Sequence, residues 1–290
     1  MKDNKINILI AGTGFLGKEI IKILDGRNFI LNALAYKKEE FAGIEDKLQQ
    51  TYCVDVTKPE TLKGIFTDVD MVFSTIGITR IRSNMTHMSV DYQGNINLLR
   101  EAEKSKVKKF IFISPQSVDE GHDYVPLFKA KYLFEQELMK SKINWIIFRS
   151  GGFYSDLAKM GEFAEKNSMI LIGSGNAKST PVDVIDLANI MVEDSFNKHN
   201  EIIEVGGPEI HSWNEISNIC FSVLNKKPKI LHVPLWICKL TALLLKPFSP
   251  SNFGMARLLI YSAEKDLITK TRGKKLFKNY FEEYLKARKT

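Results

Sequence analysis

Along the first half of the chain, apolar and polar positions alternate between two periods. The short apolar runs INILIAG (6–12), FILNALAY (29–36), TYCVDVT (51–57), DMVFSTIG (70–77), KKFIFIS (108–114) and WIIFRSGG (145–152) read as strands, several of them closing on glycine. Between them, KEIIKILDG (18–26), PETLKGIF (59–66) and SVDYQGNINLLREAEKS (89–105) carry apolar residues at helical spacing. Strands alternating with helices predict a parallel sheet covered on both faces, a doubly wound α/β domain.

After residue 150 the pattern loosens. MILIGSG (169–175) predicts a strand and turn, and 179–196 a short strand followed by a helix with Asp186 as its N-cap. EIIEVGGPE (201–209) predicts another strand. The helix after it opens with Ser212 and Glu215 at capping-box spacing. KKLFKNYFEEYLKA (274–287) reads as a terminal amphipathic helix. The expected division is a nucleotide-binding core over 1–155, then 156–290 completing the sheet and forming a small α/β lobe for substrate. Repeats and flexible linkers are not evident.

Composition narrows the class. The 290 residues are 44% hydrophobic and 26% charged, ordinary for a globular chain that buries a core. Cys53, Cys220 and Cys238 are far apart and form no CxxC pair, so the expectation is three buried thiols in a reducing cytosol. The net charge is +7, with a denser basic stretch from Lys265 to Lys289. No nucleic-acid-binding module accompanies it, so a solvated surface is expected. HExxH and carboxylate clusters are absent, so no metal is expected. The opening MKDNKINILIAG is too short for a leader and reads as a first strand. A cytoplasmic protein is the expectation. The most apolar segment, PLWICKLTALLLK (234–246), is too short to span a bilayer and is interrupted by Lys239. It reads as a buried helix or pocket wall in preference to a membrane contact.

The chemistry begins at AGTGFLG (11–17). Gly12, Gly14 and Gly17 form G-x-G-x-x-G after an apolar strand and at the opening of a helix. In that context the glycines allow a tight turn and close backbone approach to a pyrophosphate. The helix N-terminus then offers N–H groups and a positive dipole. About twenty residues on, an acidic residue would favour NAD through the ribose 2′-hydroxyl. The sequence instead has Tyr36, Lys37 and Lys38, which suit a 2′-phosphate, so NADP(H) is preferred over NAD(H).

TGFLG, DVT (55–57), STIG (74–77), IS (113–114), FRSGGFY, TPVDVIDLA and EVGGPE together resemble the extended and atypical short-chain dehydrogenase/reductase superfamily, over nearly the whole chain. KAKYLFEQELM and the lobe after it are similar to divinyl chlorophyllide reductases. NmrA-like redox sensors and the nucleotide-binding accessory subunit of respiratory complex I are more distant. The resemblance implies a Rossmann fold and cofactor contacts by residue. Gly12, Thr13, Gly14, Phe15, Leu16 and Gly17 would hold the pyrophosphate, with Tyr36 and Lys37 near the 2′-phosphate. Asp55 and Val56 would flank the adenine, and Thr75, Ile76 and Gly77 the adenosine ribose side. Ser150, Gly151, Gly152 and Phe153 would border the nicotinamide. The family loop usually has a further glycine where Ala11 stands.

The same resemblance implies a helix carrying YxxxK, in which the Lys holds the nicotinamide ribose and tunes a proton-donating Tyr. Lys131 matches the Lys, with Glu135 four residues on. Four residues before it stands Leu127, which carries no proton. Tyr124 is seven residues before Lys131, and Pro126 starts the helix after it, so Tyr124 belongs to the preceding loop. The serine position is Gln116 or, with a shift of one, Ser117. Asp91 stands where an Asn is usual. His122 reads as an exposed loop histidine, and Tyr154 as core more readily than pocket wall. Lys131 has two open roles, proton source or ribose holder.

The reading is an NADPH-dependent reductase of a hydrophobic or conjugated small molecule, with Trp236 and the leucines of 240–245 forming an apolar substrate pocket. Divinyl chlorophyllide reductases and benzylic-ether reductases also lack that Tyr. The alternative is a non-catalytic NADP(H)-binding redox sensor or assembly protein. No protein partner is identifiable from the sequence.

Overall fold

Eleven strands and ten α-helices form among the described residues, which in this computed structural model are 5–78, 81 and 85–288. Residues 1–4 of the stretch expected to open on the first strand, and Lys289 of the basic tail, lie outside them. The strands are β1 (Ile6–Ala11), β2 (Phe29–Ala35), β3 (Gln50–Cys53), β4 (Met71–Ser74), β5 (Lys109–Pro115), β6 (Asn144–Ser150), β7 (Met169–Ile172), β8 (Lys178–Ser179), β9 (Glu201–Val205), β10 (His211–Ser212) and β11 (Ile230–Val233). The helices are α1 (Phe15–Leu24), α2 (Asn95–Lys104), α3 (Val118–Gly121), α4 (Pro126–Lys140), α5 (Tyr154–Glu165), α6 (Val184–Asn197), α7 (Trp213–Val223), α8 (Leu235–Leu245), α9 (Pro250–Glu264) and α10 (Phe277–Ala287).

Seven strands make one sheet in the order β3-β2-β1-β4-β5-β6-β9. The pairings of β3 with β2, β2 with β1, β1 with β4 and β4 with β5 are parallel. The strand order reverses between β1 and β4. A doubly wound sheet binds its ligand at such a switch point, outside the carboxyl ends of the strands. The expected fold is therefore the one observed. The central strands are buried on both faces, which is why they read as unbroken apolar runs.

The chain divides into two units that interleave in sequence. The first contains 1–114, 129–148 and 188–203, and the second 115–128, 149–187 and 204–290. In the first, Leu9, Val72, Phe110, Phe112, Phe134 and Ile147 share one core. Lys109 Nζ donates to the carbonyls of Ser195 (2.6 Å) and Lys198 (2.9 Å), satisfying carbonyls at the C-terminal end of α6. In the second, Tyr154, Phe221, Phe277 and Phe281 centre a separate core. The two-stranded pairs β7–β11 and β8–β10 belong to this second unit.

Several local expectations shift. Residues 59–66 form only a 3₁₀ turn, Pro59–Leu62, because Gly64 takes a positive φ of 79° and breaks the helical path. The 89–105 helix begins as a π-helical turn over Met88–Gly94 before α2. Asp186 is not the N-cap of α6. Asp183 occupies that position and accepts the Ile185 N–H (3.1 Å), while Asp186 takes the N–H groups of Lys274 and Lys275. Spacing alone cannot separate two aspartates three residues apart. The Ser212–Glu215 capping box forms as expected. Only Cys220 is a buried thiol. Cys53 is exposed on the edge strand β3, and Cys238 is half-buried.

The segment 234–246 departs most. It forms α8, but Trp236, Leu240, Leu243 and Leu244 are 67%, 52%, 62% and 61% exposed, and only Ala242 is buried. Among the residues of the expected pocket, Leu245 lines a small apolar cleft with Ala242, Ala256 and Ile260, while the exposed ones do not. The apolar count was read correctly, but it does not reveal whether an apolar helix is covered.

Asp183 supplies the prediction for the fold. Burial raises its carboxyl pKa, against the opposing Ile185 hydrogen bond. Asp183→Asn keeps the capping acceptor without a buried charge, so it should leave stability nearly unchanged in urea unfolding. Asp183→Ala should lose about 1 kcal/mol.

Candidate active site

The glycine loop joins β1 to α1. Gly12 has φ of +96°, the left-handed region open to glycine, and a Cβ there would meet Thr75 Oγ1 at 2.8 Å. Thr75 donates its hydroxyl to the Gly12 carbonyl (2.9 Å), tying the loop to the end of β4. Gly17 is required for a second reason: its Cβ would lie 2.0 Å from the Gly12 carbonyl oxygen. That contact lets α1 start hard against the strand end. Gly14, the residue before α1, has nothing within 4 Å of the place a Cβ would occupy. The Thr13 hydroxyl is buried and has no hydrogen-bond partner among the described residues. Open space over Gly14, an orphaned hydroxyl and a helix N-terminus form a cradle that fits a dinucleotide pyrophosphate. Leu16 is buried, whereas Phe15 is exposed.

Other predicted contacts of the first unit follow β2 and β3. Tyr36 and Lys37 follow β2 and are exposed, and Lys37 precedes a 3₁₀ turn whose first residues include Glu39 and Glu40. Asp55, after β3, accepts the Thr57 N–H (3.0 Å) and hydroxyl (2.7 Å), which holds this turn in shape. The Val56 carbonyl accepts from Asn97 Nδ2 (2.9 Å), and its side chain lies where a Cβ on Gly94 would intrude, at 2.8 Å. Ser150, Gly151, Gly152 and Phe153 end or follow β6. Gly151 and Phe153 are fixed within the second unit, where a Cβ on Gly151 would sit 2.1 Å from the Thr180 carbonyl oxygen and Phe153 bridges Val182.

Lys131 lies on α4 with its side chain almost wholly buried in the first unit. Its ammonium donates to the carbonyls of Ile113 (3.2 Å) and Ile76 (3.3 Å) and lies 4.7 Å from the centre of the Phe112 ring. Asp91 Oδ1 is 3.6 Å away, at ion-pair range. Burial drives the Lys131 pKa below its ordinary value, and Asp91 and Glu135 oppose that shift. Gly77 is the residue that makes room: a Cβ there would stand 2.6 Å from Asp91 Oδ1 and 3.2 Å from the ammonium.

Asp91 is completely buried. Its Oδ2 contacts His87 Nδ1 (3.2 Å), whereas Oδ1 has no hydrogen-bond partner among the described residues. Asn95 accepts from the Ser74 hydroxyl and donates to the Asp91 carbonyl, fastening this π-helical turn to the end of β4. A single π turn of this kind re-aims side chains at functional sites. The grouping of His87 and Asp91 with Lys131 was not anticipated from the sequence. Their i, i+4 spacing on one helical face was the available signal.

Tyr124 sits in the loop before α4, 59% exposed and stacked on Tyr261. Leu127 occupies the helical position four residues before Lys131. Gln116 commits its amide to the Ile268 carbonyl (2.9 Å), and Ser117 has a left-handed φ of +55°. Ser114, at the end of β5, has a buried hydroxyl without a hydrogen-bond partner among the described residues. His122 is half-buried, its Nδ1 against the Asp119 carbonyl (2.7 Å). Tyr154 is core, donating to the Lys275 carbonyl (3.0 Å).

A glycine loop at the switch point of a doubly wound sheet is the arrangement that receives a dinucleotide. The chain belongs to the NAD(P)H-binding family, which matches residues 11–194. Among relatives, it is 25% identical to photosystem II assembly factor Ycf39 of Trieres chinensis, over 81% of this chain and 74% of that one. It is 28% identical to divinyl chlorophyllide a 8-vinyl-reductase of Arabidopsis thaliana, over 80% of this chain and 61% of that one. In fold it is similar to the NADP(H) complex of Citrobacter triphenylmethane reductase, with a TM-score of 0.76 and 16% identity, covering 96% and 99% of the two chains.

Gly14→Ala should leave the thermal melt unchanged yet weaken NADPH binding at least about tenfold by calorimetry, because its methyl enters the cradle. Gly17→Ala should instead lower the melting temperature, since its Cβ has no space. Removing Lys131 alone strands a buried Asp91. Lys131→Met should therefore cost about 3–5 kcal/mol in denaturant unfolding, and adding Asp91→Asn should recover most of it.

Proposed function

We propose that this chain is an NADPH-dependent reductase of a hydrophobic or conjugated small molecule. The observation that carries the proposal is Lys131, a buried ammonium held by Asp91 beside Gly77. The usual tyrosine is absent. The nicotinamide would supply the hydride. Gly12 to Gly17 would bind the pyrophosphate, and Lys37 would favour a 2′-phosphate. Thr75 to Gly77 and Asp55 with Val56 would seat the adenosine. Ser150 to Phe153 are assigned to the nicotinamide border by their place after the sixth strand.

Lys131 has the attributes of a ribose holder and of a proton source. Its position is fixed by two carbonyls and a carboxylate, and burial lowers the cost of giving up its proton. Leucine at 127 removes ordinary alcohol–ketone chemistry. Reduction of an activated double bond does not require a tyrosine at that place. The likeness to a protein named as a vinyl reductase supports this choice of reaction.

A second reading is an NADP(H)-responsive assembly protein. The likeness to several photosystem II assembly factors favours it, as does the commitment of Gln116 to a backbone carbonyl.

One experiment separates the two. NADPH and NADH deuterated at C4 in each stereochemical form would be incubated with the protein and a metabolite extract, and the label followed by mass spectrometry. The expected result is transfer from one NADPH form into one metabolite, with little from NADH. Transfer should fall at least about tenfold in Lys131→Met/Asp91→Asn. Tight NADPH binding without transfer, together with a large affinity difference between NADP⁺ and NADPH, would overturn the reductase in favour of the assembly reading.

A further inference from the structure

The largest departure from expectation, the uncovered α8, points to a surface. In the second unit α8 and α9 pack on each other as a hairpin joined through residues 246–249. Ala242 faces inward, toward a small apolar cleft shared with Ala256 and Ile260. The opposite side of α8 carries Trp236, Leu240, Leu243 and Leu244, at i, i+4, i+7 and i+8, so they form one stripe. Phe248, just beyond the helix, is 86% exposed. Ile170 and Leu231 are partners in the β7–β11 pair and are also largely exposed. Isolated exposed apolar residues need no explanation, whereas a contiguous stripe marks a contact surface.

Charge identifies the contact. Residues 216–263 contain six Lys or Arg and no Asp or Glu. From 226 to 290 there are 15 cationic and 4 acidic side chains, a balance of +11, so the rest of the chain, at +7 overall, balances to −4. The basic excess therefore falls in the same part of the sequence as the apolar stripe. Lys239, on α8, and Lys246, just past its end, lie seven residues apart along one edge of the stripe. Lys239 pairs with Glu264, and Lys246 lies 6.0 Å from the Phe253 ring centre, so both stay beside the hairpin. A second copy seated on this face would bring like charges together without a carboxylate from 216–263 to offset them.

We propose that the α8–α9 hairpin docks on an anionic phospholipid surface. Trp236, Leu240, Leu243 and Phe248 would enter the interfacial layer and the lysines would meet the headgroups. A short helix with Trp and Leu on one side and lysines beside them lies in the interface without crossing it. No helix among the described residues is long and apolar enough to cross a membrane. This inference is independent of the dinucleotide chemistry.

The test is co-sedimentation of the full chain with phosphatidylcholine vesicles, with and without phosphatidylglycerol, alongside tryptophan emission. The expected result is binding to the anionic vesicles, weakened by salt, with a blue shift that Trp236→Phe removes. Leu240→Ser/Leu243→Ser, at exposed positions, should keep the wild-type melting curve and lower the bound fraction about tenfold. Lys239→Glu/Lys246→Glu should lower it by a similar factor. Three results would overturn the proposal. One is no binding to anionic vesicles. Another is binding that the leucine pair does not change. The third is a dimer in light scattering that Leu240→Ser/Leu243→Ser dissolves, which would make the stripe an interface between copies.

Discussion

A lysine ammonium taken out of water must be compensated by what surrounds it, and the arrangement around Lys131 follows from that requirement. Asp91 supplies the charge, the carbonyls of Ile76 and Ile113 accept hydrogen bonds, and the Phe112 ring lies alongside. Each partner has its own support. Asp91 is aimed by a π-helical turn anchored to β4 through Asn95 and Ser74, and Gly77 leaves the volume that both charged groups fill. The glycine loop is tied to the same strand end through Thr75. Strand end, loop, turn and buried ion pair are thus one connected structure. That connection explains how a cation this deeply buried is kept in position.

Much of this was legible in the chain. Apolar runs ending in glycine located the parallel strands because strands buried on both faces need no polar alternation. The loop at Gly12 to Gly17 was legible because its glycines answer to backbone geometry, a positive φ at 12 and a close approach at 17. Leu127, four residues before Lys131, and Pro126, which opens α4 after Tyr124, were also legible. The partner of Lys131 was not read. Asp91 registered only as a departure from a usual Asn, since the π-helical turn that aims it leaves no periodic trace. Asp183 was missed as a cap because Asp186 satisfies the same residue preference. The exposure of α8 was missed because composition counts apolar residues without telling which are covered.

The two units carry different physics. The first holds the glycine loop and the buried Lys131 at the carboxyl edge of the sheet, where strand order reverses. The second holds an aromatic core around Tyr154 and Phe281 and presents an uncovered apolar hairpin in a strongly basic segment. A pyridine-dinucleotide site and a surface-seeking hairpin in one chain are compatible with a reductase whose substrate is itself apolar. They are equally compatible with an assembly protein that responds to its cofactor. The two differ in whether Lys131 touches the nicotinamide ribose.

The most direct measurement is therefore a crystal structure of the protein with NADPH. The account predicts the pyrophosphate over Gly14 and the Lys131 ammonium within about 3 Å of the nicotinamide ribose hydroxyls, with Asp91 still at its side. A dinucleotide bound elsewhere, or a Lys131 that keeps only its contacts to Ile76, Ile113 and Asp91, would contradict it.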